Sequence, residues 1–288
     1  MVRTSPTVAG WELMLRIRAR RDERGVNSKA VTQTLGISPQ YWSQLVKGKG
    51  VLAEDKLQVL MELLEFEPDE QSELLALRSV AKSRGWWSAY SALFDDELLR
   101  YYGLEEGAQS IRSVEGGVIP GLLQSEDYIR ALMSSIVSTG RPTEAEQRVR
   151  ARLRRQRRLS GEDPLRLSVV MGQSALLQQV GGPDVQRDQL RHLLDLIDQH
   201  PENLTLRVVP FDARGSVAGL NAATFHLLDF GNSRLPVLGW LETAIYGQIV
   251  EDSKQVEALD YLYNQFTSVA MSREGSVSLI KQTISTLG

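Results

Sequence analysis

The stretch GVNSKAVTQTLGISPQYWSQLVKGK, residues 25–49, decides how the first part of the chain folds. Asn27 or Ser28 can cap a short helix that runs through Leu35 and is stopped by Gly36. Ser38 is a second N-cap, with Pro39 at the first helical position, where a missing N–H costs nothing. The helix that follows reaches about Lys47 and stops at Gly48. Val31, Leu35, Ile37, Trp42 and Leu45 have the spacing of positions buried between the two helices. Pro39, Gln40, Tyr41, Ser43, Gln44 and Lys47 are left facing outward: polar donors and acceptors with a cation behind, the make-up of a recognition helix. Gln40 and Gln44 lie one turn apart and can read base edges, for example adenine through a bidentate amide. Tyr41 can meet a thymine methyl or a phosphate. Ser28, Lys29, Lys47 and Lys49 are placed as phosphate clamps, which set register without reading sequence. The same helical pattern also serves for packing or dimerisation, so it leaves both uses open.

Three more helices surround this pair. Residues 11–24 carry Leu13, Met14 and Ile17 on one stripe, with Gly25 as the stop. Ala53–Phe66 places Leu57, Leu60, Met61 and Leu64 on one face, and Pro68–Lys82 opens on a proline. The expectation is an all-α helix-turn-helix domain of five short helices over residues 8–82. Residues 1–52 hold nine basic groups, Arg3 among them, against three acids, whereas residues 53–80 hold two against eight. Residues 141–158 hold eight arginines, Arg141 included, against Glu144 and Glu146. With a net charge of only −3, such blocks suggest a localised polyanion-binding face.

Arg84-Gly85 reads as a junction, after which the pattern becomes that of a larger mixed α+β domain over residues 86–288. Strands are predicted at Gln109–Val118, Leu165–Met171, Leu204–Phe211, Ala223–Phe230 and Val237–Glu242. Helices are predicted at Ser125–Val137, Thr143–Leu159, Asp184–His200, Glu251–Met271 and Ser276–Ile284. Glu115 and Gln124 flank the turn at Pro120-Gly121, and Glu242 ends a strand that also carries Trp240. Two carboxylates, an amide and an indole at strand ends suit a pocket for a small molecule or a partner peptide. The competing reading pairs Glu115 and Glu242 with arginines such as Arg155 or Arg158. Arg148, Arg152 and Arg155 share one helix face, for which internal pairing, an acidic partner and flanking DNA are all open. Val256, Leu259, Leu262, Tyr263 and Phe266 form a stripe that fits either a dimer interface or burial within the domain.

Composition narrows the function classes. At 42% hydrophobic and 24% charged, the 288 residues have the profile of a globular protein. The absence of cysteine excludes disulfides, thiolate zinc sites and thiol nucleophiles, and His192, His200 and His226 fit no zinc-protease spacing. No apolar run is long enough to span a membrane, and the start lacks a signal-peptide layout, so a cytoplasmic protein is expected. The Gly-Gly pairs at 116–117 and 181–182 are not followed by a phosphate-loop lysine, and no Gly-x-Ser-x-Gly elbow is present. Neither an enzyme nor a cofactor is implied.

Residues 12–64 resemble the helix-turn-helix of the Xre/lambda-repressor-like class, through Gly25-Val26-Asn27, Val31, Leu35-Gly36-Ile37-Ser38, Ser43 and Lys47-Gly48-Lys49. Ser28, Thr32, Val46 and Arg20 depart from that pattern; Arg20 stands where an apolar residue is common. The remainder resembles the C-terminal domain of Scr1-like, antitoxin-like actinobacterial transcriptional regulators. The residues that carry this are Glu115, Ile119-Pro120-Gly121-Leu122-Leu123-Gln124-Ser125, Tyr128, Arg155-Gln156-Arg157-Arg158-Leu159, Leu206–Phe211, Gly219 and Trp240–Thr243. The resemblance implies a regulator that binds double-stranded DNA, often encoded beside a small partner protein, and supplies no ligand or reaction. One helix-turn-helix reads few base pairs, so a homodimer on an inverted repeat is expected. The alternatives are an antitoxin-like protein that sequesters a small partner, and a sensor gated by a small-molecule effector.

Overall fold

A computed structural model of the chain describes residues 4–136, 142–214, 224–243 and 246–287. Arg3, Val137, Arg141, Gly219, Ala223 and Gly288, which enter the sequence reading, lie outside the described residues. Residues 4–88 pack as one unit and residues from 89 onward as a second.

The first unit is all-helical. Helix α1 (Pro6–Glu23) begins earlier than the apolar stripe predicts, because Ser5 caps it: its hydroxyl accepts from the Val8 N–H. Asn27, not Ser28, caps α2 (Ser28–Leu35), its side-chain oxygen accepting from the Ala30 N–H at 2.9 Å. Gly36 follows at φ 58°, a left-handed conformation open to glycine at little cost. The Lys56 ammonium donates to the Leu35 carbonyl at 2.6 Å and so fills an acceptor that the helix end leaves empty. The Ser38 hydroxyl caps α3 (Pro39–Val46) by accepting from the Tyr41 N–H at 3.1 Å. Helices α4 (Glu54–Leu63) and α5 (Pro68–Ala81) complete the unit. Leu13, Ile17, Val31, Leu45, Leu57, Leu60 and Met61 fill its core, and Ile37 sits half-buried at the margin. Burying each such side chain contributes about 1.5–3 kcal/mol.

The charge blocks meet in space. Arg16 pairs with Glu73 at 2.7 Å, Arg20 with Glu70 at 2.6 Å and Arg24 with Glu65 at 2.6 Å. These three arginines are therefore paired with the acidic block that follows them in sequence. Arg20, which departs from the family pattern, also lies over the Phe66 ring, so its stem packs where an apolar residue would.

The second unit is built on a six-stranded mixed sheet in the order β3-β2-β1-β4-β5-β6. The strands are β1 (Ser110–Glu115), β2 (Arg166–Gly172), β3 (Leu204–Val209), β4 (Thr224–Asp229), β5 (Leu238–Glu242) and β6 (Gly247–Val250). The pairs β1–β2 and β2–β3 are parallel and the rest antiparallel. The helices are α6 (Asp96–Gly107), α7 (Glu126–Ile136), α8 (Pro142–Gln156), α9 (Ser174–Leu177), α10 (Pro183–Gln199), α11 (Ser253–Val269) and α12 (Arg273–Thr286). Helix α11 lies on one sheet face, with Leu259, Tyr263 and Phe266 buried against Val114, Val170, Phe225 and Leu227. Most of the apolar stripe on α11 is thus core, and only Leu262 of its buried-spacing residues is exposed. Arg112, on the same face of β1 as Val114, pairs with Asp260 of α11. Because side chains alternate along a strand, Glu115, Thr224, His226, Trp240 and Glu242 fall on the opposite face. The described residues include no helix long and apolar enough to cross a membrane.

Candidate functional site

Two surfaces deserve a functional reading, one on each unit. On the first, Ser28, Lys29, Pro39, Gln40, Tyr41, Ser43, Gln44, Lys47 and Lys49 are all exposed, while Trp42 and Leu45 of the same helix are buried. Helix α3 therefore presents its amides outward from a fixed base. The Ser28 hydroxyl lies 3.5 Å from an Arg21 nitrogen, which adds a cation beside it.

On the second unit, Glu115, Gln124, Trp240 and Glu242 line one cavity of about 660 Å³. The sheet register brings them there. Glu115 stands opposite Thr224, and Ser113 opposite His226, which in turn stands opposite Trp240. Trp240 is fully buried, stacked on Tyr101 of α6 with ring centroids 4.4 Å apart, and its indole N–H donates to Glu242 at 3.4 Å. Gly247 on β6 makes room for that indole: a Cβ there would sit 1.9 Å from the ring.

The electrostatics of this face are uneven. Burial, reinforced by the charge of Glu242, pushes the Glu115 carboxyl up to about 8. Burial brings the His226 imidazole down to about 4. At neutral pH both are therefore largely uncharged, and their 3.6 Å approach is not an ion pair. Across the cavity, α8 supplies Arg148, Arg152 and Arg155. Arg155 is held by both oxygens of Glu105, at 2.7 and 2.8 Å, and lies over the ring of Tyr102. Tyr101 donates to the same carboxylate at 3.1 Å. Arg158 is buried too and donates to the carbonyls of Ala108 and Asp163. For Arg155, the alternative pairing with Glu115 or Glu242 is thus replaced by Glu105, on a helix outside those predicted. Arg152 makes a single hydrogen bond among the described residues, to the Gln124 carbonyl oxygen at 2.9 Å, and burial lowers its pKa. The rest of the arginine run divides: Arg150 pairs with Glu146, while Arg154 and Arg157 face outward.

The segment Ile119–Ser125 anchors this wall. The Gln124 amide donates to the Ile119 carbonyl, Gln156 to those of Gly121 and Gln124, and Gln189 to that of Leu123. Three glutamines thereby satisfy a buried turn that has no strand partners. A Cβ on Gly121 would lie 3.5 Å from the Arg155 guanidinium, so the turn and α8 are close-packed.

A family model described as a domain of unknown function (DUF5753) matches residues 98–282. The chain belongs to the DUF5753 family. A second model, described as a helix-turn-helix domain, matches residues 12–74. No curated protein and no solved structure matches the chain. All of the cavity lining except Leu93, Phe94 and Asp95 falls within the DUF5753 stretch, and all nine exposed residues on and beside α3 fall within the helix-turn-helix stretch. Among the described residues, no cluster of three His, Asp or Glu side chains is placed to hold a metal ion.

Proposed function

We propose that the protein is a sequence-specific, DNA-binding transcriptional regulator, of the Xre-like and Scr1-like, antitoxin-like kind that its motifs resemble. The observation that carries this is the helix-turn-helix domain at residues 12–74, with the polar face of α3 exposed on a fully packed base. Residues 8–82 are the DNA-binding domain and residues 86–288 the regulatory domain; the protein works in the cytoplasm, at the nucleoid. Gln40 and Gln44 read base edges, with Tyr41 and Ser43 beside them and Pro39 at the helix start. Ser28, Lys29, Lys47 and Lys49 hold phosphates. Two chains bind an inverted repeat. Control is non-enzymatic.

The cavity favours one refinement, a regulator gated by a small effector, since its polar groups converge from β1, β4, β5, α6 and α8. Selection of bound genomic fragments by the purified protein, at near-physiological salt, tests the main reading. An enriched inverted repeat is expected. Weak binding without a motif, abolished by modest salt, would instead assign the chain a partner-sequestering role.

A further inference from the structure

We propose that the cavity of the second unit takes a small organic anion with an apolar body, its carboxylate or phosphate held by Arg148 and Arg152. The proposal rests on the effector reading of the cavity given above. The volume of about 660 Å³ lies within the range of small-molecule sites.

The cationic wall carries more donors than the protein uses. A guanidinium offers five N–H groups. Arg152 spends one on Gln124. Arg148 spends one on the Leu93 carbonyl, lies over the Phe94 ring, and has a buried Nε with no hydrogen-bond partner. Among the described residues neither forms an ion pair, in contrast to Arg155, which Glu105 neutralises through two bonds. Both are partly buried, and Glu242 acts on Arg152 only from beyond ion-pairing distance, so each guanidinium gives up water without a carboxylate in contact. A bound anion supplies the counter-charge and accepts the idle donors, and planar forks suit carboxylate and phosphate oxygens.

The other walls fit the remainder of such a ligand. Phe94, Leu98 and Met133 offer apolar contact. Glu115, Thr224 and His226 offer polar groups that are largely uncharged at neutral pH and so repel the anion little. Glu242 stands exposed at the end of β5 and suits a hydrogen-bond donor on the ligand.

The test is calorimetric titration of the full-length protein, without DNA, using indole-3-acetate, indoxyl phosphate, tryptamine and 3-methylindole. All four share the indole ring and differ in charge, and the phosphate separates the two anionic headgroups. One or both anions are expected to bind, with the amine and the neutral indole at least tenfold weaker. Arg152→Gln should weaken anion binding tenfold or more, about 1.4 kcal/mol, with a melting temperature in the absence of probe no lower than that of the parent. Arg148→Gln, which removes one backbone hydrogen bond, is the second variant and should act in the same direction. Tighter binding of the carboxylate or of the phosphate names the headgroup. Binding of the amine as strong as that of the acid, no heat from any probe, or unchanged anion affinity in both variants would overturn the proposal. Since no DNA is present, this outcome is independent of the fragment selection that tests the regulator itself.

Discussion

Glu115 is a carboxylic acid whose folded environment opposes ionisation, which makes it a source of pH-dependent stability. Its ordinary value is 4.5 and its folded value about 8. Between these the unfolded chain holds fewer protons than the folded one, so stability falls as pH rises from about 4.5 to about 8. His226 acts in the opposite direction, lowered from 6.5 to about 4, so its contribution is lost as pH falls through that window. Glu115→Gln removes the first slope and keeps the second. Urea midpoints at pH 5, 6.5 and 8 should show the variant gaining on the parent as pH rises; a gap independent of pH would mean that Glu115 is ionised in the folded protein. The buried Glu105–Arg155 pair is a different case, because its charges are matched. Glu105→Ala leaves a buried guanidinium without its carboxylate and should cost about 3–5 kcal/mol in denaturant unfolding. A loss below 1 kcal/mol would mean that water reaches Arg155.

Helix α3 illustrates what an element can reveal on its own. Its cap, its proline and its buried Trp42 and Leu45 are all local signals, and the structure reproduces them. Gln44→Ala should cost roughly 1–3 kcal/mol in operator binding and relax preference at one base, whereas Lys47→Ala should weaken all sequences alike. Competition binding against single-base operator variants separates the two effects; affinity and preference both unchanged in Gln44→Ala would overturn the recognition-helix assignment of α3. Helix α6 shows the converse. Its buried side is Tyr101, Tyr102, Leu104 and Glu105, polar and aromatic groups with two glycines nearby, so it has no apolar stripe to read. It is held by tertiary contacts, which a single sequence does not display. Strand β6 is similar: Gly-Gln-Ile-Val is too short to alternate, and its pairing with β5 decides it. The site divides in the same way. Glu115, Gln124, Trp240 and Glu242 are legible from the turns and strand ends beside them, and the common face of Arg148, Arg152 and Arg155 from helical spacing. Glu105, Tyr101 and His226 are not, because α6 and the sheet register bring them in from far along the chain.

At the scale of the whole molecule, a single helix-turn-helix per chain limits how much DNA one copy can read. Sedimentation of the full-length protein with a selected operator should give two chains per inverted repeat, and a single half-site should bind far more weakly. One chain per operator at saturation would remove the dimer from the proposed function. The sheet order has a further consequence, for the sequence of events during synthesis. Residues 4–88 form a compact unit of consecutive sequence, so their internal contacts are available once that segment has left the ribosome. Strand β1 ends at Glu115, yet its two neighbours begin only at Arg166 and Thr224. Its edges wait for most of the remaining chain to be made, and pairing over such separations is slow. The amino-terminal unit can therefore fold early, and the walls of the cavity can close only once β4 and β5 have been made. A chain released before its final strands would already carry the surface of α3, but nothing able to answer an anion.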